Sequence, residues 1–219
     1  MGFCVVCISR TTAAGGETVG QAVAQQLGFQ YVDEQIIERA AQQAQVEPRL
    51  VAKAEHRQPL LQRLLEKMKT GTEMAGVVTL ATGVSIDAFV PSLAASGTDA
   101  DDLRVMIRAA IHEVAGAGQA VIVAHAASMA LANTEGVLRV LVTASTETRI
   151  RRVAELGRII REEAERRIAT SDRERREYFQ RFYKVQEELA THYDLVINTD
   201  VLTTAQAVEV VLTAARAPA

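Results

Sequence analysis

Residues 6–20 read VCISRTTAAGGETVG, an apolar segment that leads into a loop of small residues and then into a helix. Phe3–Ser9 is predicted to be a buried strand, and Thr18–Leu27 a helix because apolar residues recur in it at four-residue spacing. Gly28 is expected to end this helix. A small-residue loop between a strand and a helix start is typical of a phosphate cradle, because glycines let the backbone approach an anion and the free N–H groups attract it.

The loop departs from the phosphate-loop pattern G-x-x-x-x-G-K-[ST]. Counted back from Gly16, the first glycine is replaced by Thr11 and the lysine by Glu17. Thr18 keeps the hydroxyl that would bind Mg²⁺, whereas a carboxylate at position 17 would repel phosphates. A tight glycine turn that holds no ligand is therefore the alternative interpretation of this loop.

The remaining apolar segments alternate with helical ones along the chain. Strands are predicted over Phe29–Val32, Ala120–Val123, Val137–Thr143 and Leu195–Asn198. Further helices are predicted over Asp33–Gln45, Leu60–Lys69, Asp101–Ala117, Ala127–Leu131, Thr146–Glu155, Glu177–Thr191 and Thr204–Ala215. Continuously apolar strands separated by helices predict an α/β fold in three layers, with a parallel sheet of about five strands flanked by helices. Ligands bind beyond the carboxyl ends of such strands.

Composition and charge exclude several classes of protein. The chain of 219 residues carries 24 Lys and Arg against 27 Asp and Glu, a net charge of −3. Because nucleic-acid binding needs a basic surface, no nucleic-acid partner is expected. No apolar run reaches the roughly 18 residues that span a bilayer, so we predict no membrane association and a cytoplasmic location. Cys4 and Cys7 point to opposite faces of a strand, which favours two buried free thiols over a metal or redox pair.

Several segments resemble one known family. The opening of the cytidylate kinase-like family, a branch of the P-loop nucleoside monophosphate kinases, resembles residues 8–37 of this chain, which read ISRTTAAGGETVGQAVAQQLGFQYVDEQII. Later segments of the family are similar to AVIVAHAASMAL at 120–131, DRERREY at 172–178 and YDLVINT at 193–199. The resemblance covers about Phe3–Leu212 except roughly Glu47–Ala100. It implies a single P-loop NTPase-like domain over residues 1–219, with a variable acceptor-side insertion at about 47–100 and a helical lid at about 157–177.

The resemblance also implies a set of site residues. The loop would bind the phosphates of ATP through Thr11, Thr12, Ala13, Ala14, Gly15, Gly16, Glu17 and Thr18, with Thr18 also binding Mg²⁺. Catalytic roles would fall to Arg10, Asp33, Arg158, Arg161 and Arg175, supported by Arg149 and Asp172 in nucleotide binding. Several arginines suit phosphoryl transfer, which depends mostly on positioning and charge neutralisation. His125 stands where the family has the arginine of Gly-Arg-Gly, which would hold the acceptor phosphate.

Each of these residues has an ordinary structural alternative. The arginines of the lid segment interleave with glutamates at helical spacing, as on a solvated helix surface. Asp33 can cap the next helix, and His125 can be a packed side chain. Two functions therefore stay open. The first is an ATP-dependent, Mg²⁺-using cytidylate-like nucleoside monophosphate kinase or a related small-molecule phosphotransferase. The second is a non-catalytic relative that serves as a nucleotide-sensing or protein-interaction module.

The partners expected on the first interpretation are a nucleotide and a small-molecule acceptor, whose identity the sequence does not specify. The apolar stretch Met74–Leu93 is consistent with ordinary core, a lid or a homodimer surface, and core or lid is favoured over an interface.

Overall fold

A computed structural model describes residues 2–33, 98–123 and 126–217. The remaining residues carry several of the sequence predictions, which therefore lie outside the described part of the chain: the helix predicted beyond Asp33 to Gln45, the helix Leu60–Lys69, nearly all of the insertion at about 47–100, the stretch Met74–Leu93, and His125.

Five parallel strands form one sheet in the order β2-β3-β1-β4-β5. The strands are β1 (Val5–Arg10), β2 (Gln30–Val32), β3 (Ala120–Ile122), β4 (Val137–Thr143) and β5 (Leu195–Asn198). In the register of the central strand, Val5 stands beside Ala120 of β3 and Val137 of β4. The sheet confirms the predicted α/β class, and its central strand is the one that leads into the small-residue loop.

Helices cover both faces of the sheet. They are α1 (Gly16–Leu27), α2 (Thr98–Ala117), α3 (Ala127–Ala130), α4 (Thr146–Gly157), α5 (Arg161–Tyr183) and α6 (Thr204–Arg216), with a short 3₁₀ helix at Ala190–His192. Gly28 ends α1 in the left-handed conformation, as predicted. The helix predicted to continue over Glu177–Thr191 is wrong at its C-terminal end, because α5 runs from Arg161 to Tyr183 and stops where Lys184 takes a φ of 58°.

Alternating residues of β1 supply the two layers of the core. Val5 and Cys7 face α2 and α3, whereas Val6 and Ile8 face α1 and α6. This alternation is the period of a strand that is buried on both sides. Helices α4 and α5 pack on each other through a smaller cluster of Ile150, Val153, Ala164 and Ile168. The charged segment that was predicted as a lid therefore runs from the end of α4 into a helix anchored on α4.

The two cysteines differ in their surroundings. Cys7 is buried, as predicted, and its burial raises the pKa of the thiol. Cys4 is exposed because it precedes the first paired residue of β1, so the prediction of two buried thiols is wrong for Cys4. Among the described residues, no helix combines the length and the apolar character needed to cross a membrane.

Candidate functional site

The small-residue loop lies at the carboxyl end of the central strand and turns directly into α1. Gly15, the N-cap of α1, has a φ of +85° and offers no side chain to cap the helix. The first N–H groups of α1 therefore have no capping side chain. A Cβ on Gly16 would lie 2.5 Å from the Cβ of Arg10, so the chain needs glycine where the loop folds back on the strand.

Hydrogen bonds hold the loop against β4 and α5. The Thr11 amide donates to the carbonyl of Val142 over 3.1 Å, and the Ala14 amide donates to the Thr11 carbonyl over 3.1 Å. The hydroxyls of Thr12 and Ser171 lie 2.5 Å apart, which joins the loop to α5. Hydrogen bonds to β4, to α5 and within the loop therefore hold it in one defined conformation.

Glu17 turns its carboxylate onto Arg10. The Arg10 Nε lies 2.5 Å from Glu17 Oε1, and both side chains are 16% exposed. Arg10 also donates from Nη1 to the carbonyl of Val123 over 3.4 Å. Arg10 is predicted to supply positive charge to the phosphates. In the structure that charge is neutralised by Glu17, the residue that stands in place of the lysine of the phosphate-loop pattern.

The carbonyl side of the loop is held by residues that sequence reasoning missed. Arg152 of α4 donates to the Ala13 carbonyl over 3.1 Å and to the Thr199 carbonyl over 2.6 Å. The Thr199 hydroxyl donates to the Ala14 carbonyl over 2.9 Å. Thr199 directly follows β5, so the rule that ligands gather at strand carboxyl ends would have found it.

Arg149 and Asp172 form a two-pronged ion pair between α4 and α5. Nη1 and Nη2 of Arg149 lie 2.8 and 2.7 Å from the two carboxylate oxygens of Asp172. Arg149 is 5% exposed, and within the described part of the chain its buried Nε has no hydrogen-bond partner. The structure brings these two predicted residues together, and Ser171 next to Asp172 contacts the loop.

Arg175 lies in a second two-pronged pair, with Glu188. Its Nε and Nη2 lie 2.7 and 2.6 Å from the carboxylate oxygens, and the Tyr193 hydroxyl donates to the same carboxylate. Burial by itself disfavours the charge of Arg175, but the bonds to Glu188 outweigh it and raise the pKa of the guanidinium. Burial likewise opposes the charge of Glu188, whose pKa is nevertheless lowered by Arg175. Sequence reasoning gave no role to Glu188.

The other predicted catalytic residues occupy more open places. Arg161 is exposed and pairs with Glu147 and Glu165, over 2.6 and 2.9 Å, as expected for a solvated helix surface. Arg158 is exposed and caps α4 in the left-handed conformation. Asp33 is half-buried after β2, where its charge adds to burial in raising the pKa of Tyr31. Thr18 is exposed in the first turn of α1.

A cavity of about 170 Å³ lies beside the start of the loop. Its lining comprises Thr11, Arg149, Asp172, Arg175, Arg176, Phe179, Val185, Gln186 and Glu188. It is smaller than the roughly 300–1,000 Å³ of ordinary ligand pockets. In this conformation it has room for a small anionic group but not for a whole nucleotide.

Comparisons with known proteins agree with this architecture. The sequence profile of the cytidylate kinase-like family matches residues 5–201. No protein of curated function matches the chain in sequence. An uncharacterized protein from Eubacterium ventriosum has a similar structure, with a TM-score of 0.62, 12% identity, and coverage of 95% of this chain and 96% of its own. Shikimate kinase from Bacteroides thetaiotaomicron is similar in fold, with a TM-score of 0.50, 15% identity, and coverage of 96% and 97%.

Proposed function

The chain belongs to the cytidylate kinase-like family, and from this premise we propose that it is an ATP-dependent phosphotransferase acting on a nucleoside monophosphate or a related small acceptor. The observation that carries the proposal is the loop after β1. Its left-handed Gly15 and the uncapped start of α1 present backbone N–H groups at the carboxyl end of the central strand. That arrangement favours a bound polyphosphate.

The proposed site binds the donor phosphates on the loop from Thr11 to Gly16. Within the described ranges, no group of three or more acidic, His or Cys side chains could hold a metal ion. Mg²⁺ commonly keeps its waters and takes substrate phosphates as ligands, so the Thr18 hydroxyl together with the phosphates and water fits the ion. When bound, Mg²⁺ would neutralise charge on the phosphates.

The acceptor side of the proposal rests on the arginines of the small cavity. Arg149 and Arg175 line it, together with the exposed Arg176. Planar guanidinium groups suit the transferring phosphoryl group because they bind two of its oxygens at once. Asp33 directly follows β2, at the same carboxyl end of the sheet as the loop, and we propose that it lies near the acceptor. We also propose that His125 is a weak substitute for the family's arginine.

One feature favours the non-catalytic alternative. Arg10, Arg149 and Arg175 each already hold a carboxylate, from Glu17, Asp172 and Glu188. A polyphosphate must compete with these carboxylates for the same guanidinium groups. If the pairs persist when nucleotide is present, the fold binds a nucleotide weakly or serves as an interaction module.

Titration with ATP·Mg²⁺ and measurement of the thermal unfolding midpoint test the proposal. A ligand at 100 times its Kd stabilises by about 2.7 kcal/mol, so millimolar ATP should raise Tm by several degrees. The matched variant Thr18→Val should keep the shift with ATP alone and lose the additional shift with Mg²⁺. The absence of any shift at millimolar ATP contradicts the proposal.

Turnover separates the enzyme from the sensor. Phosphorus NMR with ATP, Mg²⁺ and a panel of nucleoside monophosphates, CMP first, should show ADP and a phosphorylated acceptor. Binding of ATP without turnover of any acceptor supports the non-catalytic alternative. A cytoplasmic location belongs to the same proposal, and sedimentation of the full chain decides between a monomer and a homodimer.

A further inference from the structure

The phosphate loop is held from outside by a side chain of α4. Arg152 donates from Nη1 to the Ala13 carbonyl over 3.1 Å and to the Thr199 hydroxyl over 3.0 Å. Its Nη2 donates to the Thr199 carbonyl over 2.6 Å. One guanidinium therefore joins the loop to the segment that follows β5.

Thr199 extends this contact to the next residue of the loop. Its hydroxyl accepts from Arg152 and donates to the Ala14 carbonyl over 2.9 Å. Thr199 is 5% exposed, and its amide is fixed by the Thr143 carbonyl over 2.8 Å. The Ala13 and Ala14 carbonyls are both directed at this rigid pair.

The direction of a carbonyl decides the direction of the next amide. In a trans peptide plane the C=O group and the following N–H group point to opposite sides, and the described residues contain no cis peptide. With its carbonyl held by Thr199, the Ala14–Gly15 peptide directs the Gly15 N–H away from Thr199. That amide is the one that we expect to meet a bound anion.

Arg152 also differs from the other arginines near the loop in the type of its acceptors. Arg10, Arg149 and Arg175 each pair with a carboxylate, whereas the contacts of Arg152 are to two carbonyls and a hydroxyl. Its positive charge is not cancelled by these neutral partners. The Arg152 guanidinium thus places a formal positive charge next to the loop carbonyls. This charge strengthens the attraction of the loop for an anion.

We infer that Arg152, with Thr199, is a positioning residue that orients the Gly15 amide toward a bound polyphosphate, whereas the Ala14 amide is already bonded to the Thr11 carbonyl. The inference rests on the proposed function of the loop. It assigns Arg152 no contact with substrate, since its donors are directed at backbone carbonyls and a threonine.

The test compares variants of the full chain in their binding of pyrophosphate and of ATP·Mg²⁺, by calorimetry. Arg152→Lys keeps the charge but loses the planar fork, and Arg152→Gln loses both. We expect each to weaken both ligands by about tenfold or more, the effect of losing a charge-assisted hydrogen bond. Arg151→Gln, at the exposed neighbouring position, removes the same charge and should bind as the wild type does.

Rescue at Thr199 separates positioning from a loss of fold stability. Thr199→Val lacks the hydroxyl and should weaken pyrophosphate binding several-fold, whereas Thr199→Ser should restore it. In the ligand-free protein, the Gly15 amide resonance should move in Arg152→Lys and Thr199→Val but not in Thr199→Ser. All measurements are made where denaturation curves show each variant fully folded.

The outcomes are distinct. If the wild type binds both ligands and the folded Arg152 variants bind as tightly, the positioning role is overturned and the proposed function stands. If the wild type binds neither ligand, the proposed function fails, and the Gly15 resonance decides the positioning role separately. An unchanged Gly15 resonance in the ligand-free Arg152 variants overturns it.

Discussion

At the scale of single residues, the site is dominated by the carboxylate of Glu17. It lies in the first turn of α1, where a negative charge interacts favourably with the helix dipole, and it pairs with Arg10. The same charge competes with any anion for the helix start. Glu17 therefore stabilises the ligand-free loop at the expense of phosphate affinity.

Replacing Glu17 by glutamine should increase the affinity of the loop for phosphates. Glu17→Gln removes a negative charge and releases the Arg10 guanidinium from its carboxylate partner. We expect ATP·Mg²⁺ to bind about tenfold more tightly, the effect of one charge-assisted contact, as measured by calorimetry. Glu17→Lys should strengthen binding further.

The control for this variant is Glu209→Gln, which removes a carboxylate from the exposed surface of α6. It should leave the ATP affinity unchanged. Equal affinity of wild type and Glu17→Gln would show that Arg10 and the helix start take no part in phosphate binding.

At the scale of elements, α1 and β3 approach closely at a glycine. A Cβ on Gly20 would lie 2.5 Å from Cγ2 of Val123 and 3.3 Å from the ring of Tyr31. The exposed Gly116 of α2, in contrast, has no neighbouring atom within 4 Å of its would-be Cβ. Substitution of Gly20 therefore tests close packing, whereas substitution of Gly116 tests helix propensity alone.

Alanine at these two glycines should change stability in opposite directions. Gly20→Ala forces α1 away from β3 and should lower the free energy of unfolding by about 1–3 kcal/mol. Gly116→Ala should raise it by about 0.5–1 kcal/mol through helix propensity alone. Urea denaturation measures both, and a Gly20→Ala protein as stable as the wild type would refute the close contact.

A network of ionic and hydrogen bonds connects the second half of α5 to the segment just before β5. Arg175 stacks on the ring of Phe179 at 4.6 Å, pairs with Glu188, and is connected through that carboxylate to Tyr193. The network fixes the segment that follows the left-handed turn at Lys184. It also decides whether the Arg175 guanidinium is available in the cavity.

Loss of the Glu188 charge should destabilise the protein, because Arg175 is left largely buried without a counter-charge. We expect Glu188→Gln to lower the free energy of unfolding by about 2 kcal/mol in urea denaturation. The Glu147–Arg161 pair is exposed and screened by solvent, so Glu147→Gln should lower the free energy of unfolding much less. Equal effects of the two variants would contradict the burial of the Arg175 pair.

At the scale of the whole molecule, an ion pair joins β4 to the start of β5, the last strand of the sheet. Arg139 of β4 contacts Asp194, just before β5, from its backbone amide over 2.8 Å and from Nη2 over 2.6 Å. The hydrogen bonds from Arg139 lower the pKa of the Asp194 carboxyl. This contact fixes the register of the last strand against the sheet.

Stability should fall in acid for this reason. A carboxyl whose pKa is lowered by folding adds stability at pH values above its unfolded pKa of about 4, and that stability is lost as the pH falls through the lower folded pKa. Asp194→Asn should be less stable than the wild type at pH 7, by up to about 1 kcal/mol, and should approach it as the pH falls through the lowered pKa of Asp194. Denaturation at a series of pH values measures the difference.

The control is Glu209→Gln, which removes one carboxylate from the exposed surface of α6 and leaves the Arg139–Asp194 pair intact. A constant difference between Asp194→Asn and the wild type at every pH would mean that the ion pair makes no contribution.

The strands and the position of the loop could be predicted from the sequence. Val137–Thr143 and Leu195–Asn198 were predicted with the bounds that the structure shows, because continuously apolar runs between helices have few other places in an α/β fold. The loop was recognisable from Gly15 and Gly16, since a tight turn into a helix constrains local backbone geometry. Family membership followed from the same local segments.

The partners of the charged side chains, in contrast, depend on how the helices and strands pack together. The sequence places Arg10, Arg149 and Arg175 in matching motifs, but their partners lie 7, 23 and 13 residues away, and helix packing selects them. Arg152 and Thr199 are 47 residues apart and meet behind the loop only because β5 lies beside β4. Local patterns specify elements, whereas the pairing of distant charges depends on which elements the fold brings into contact.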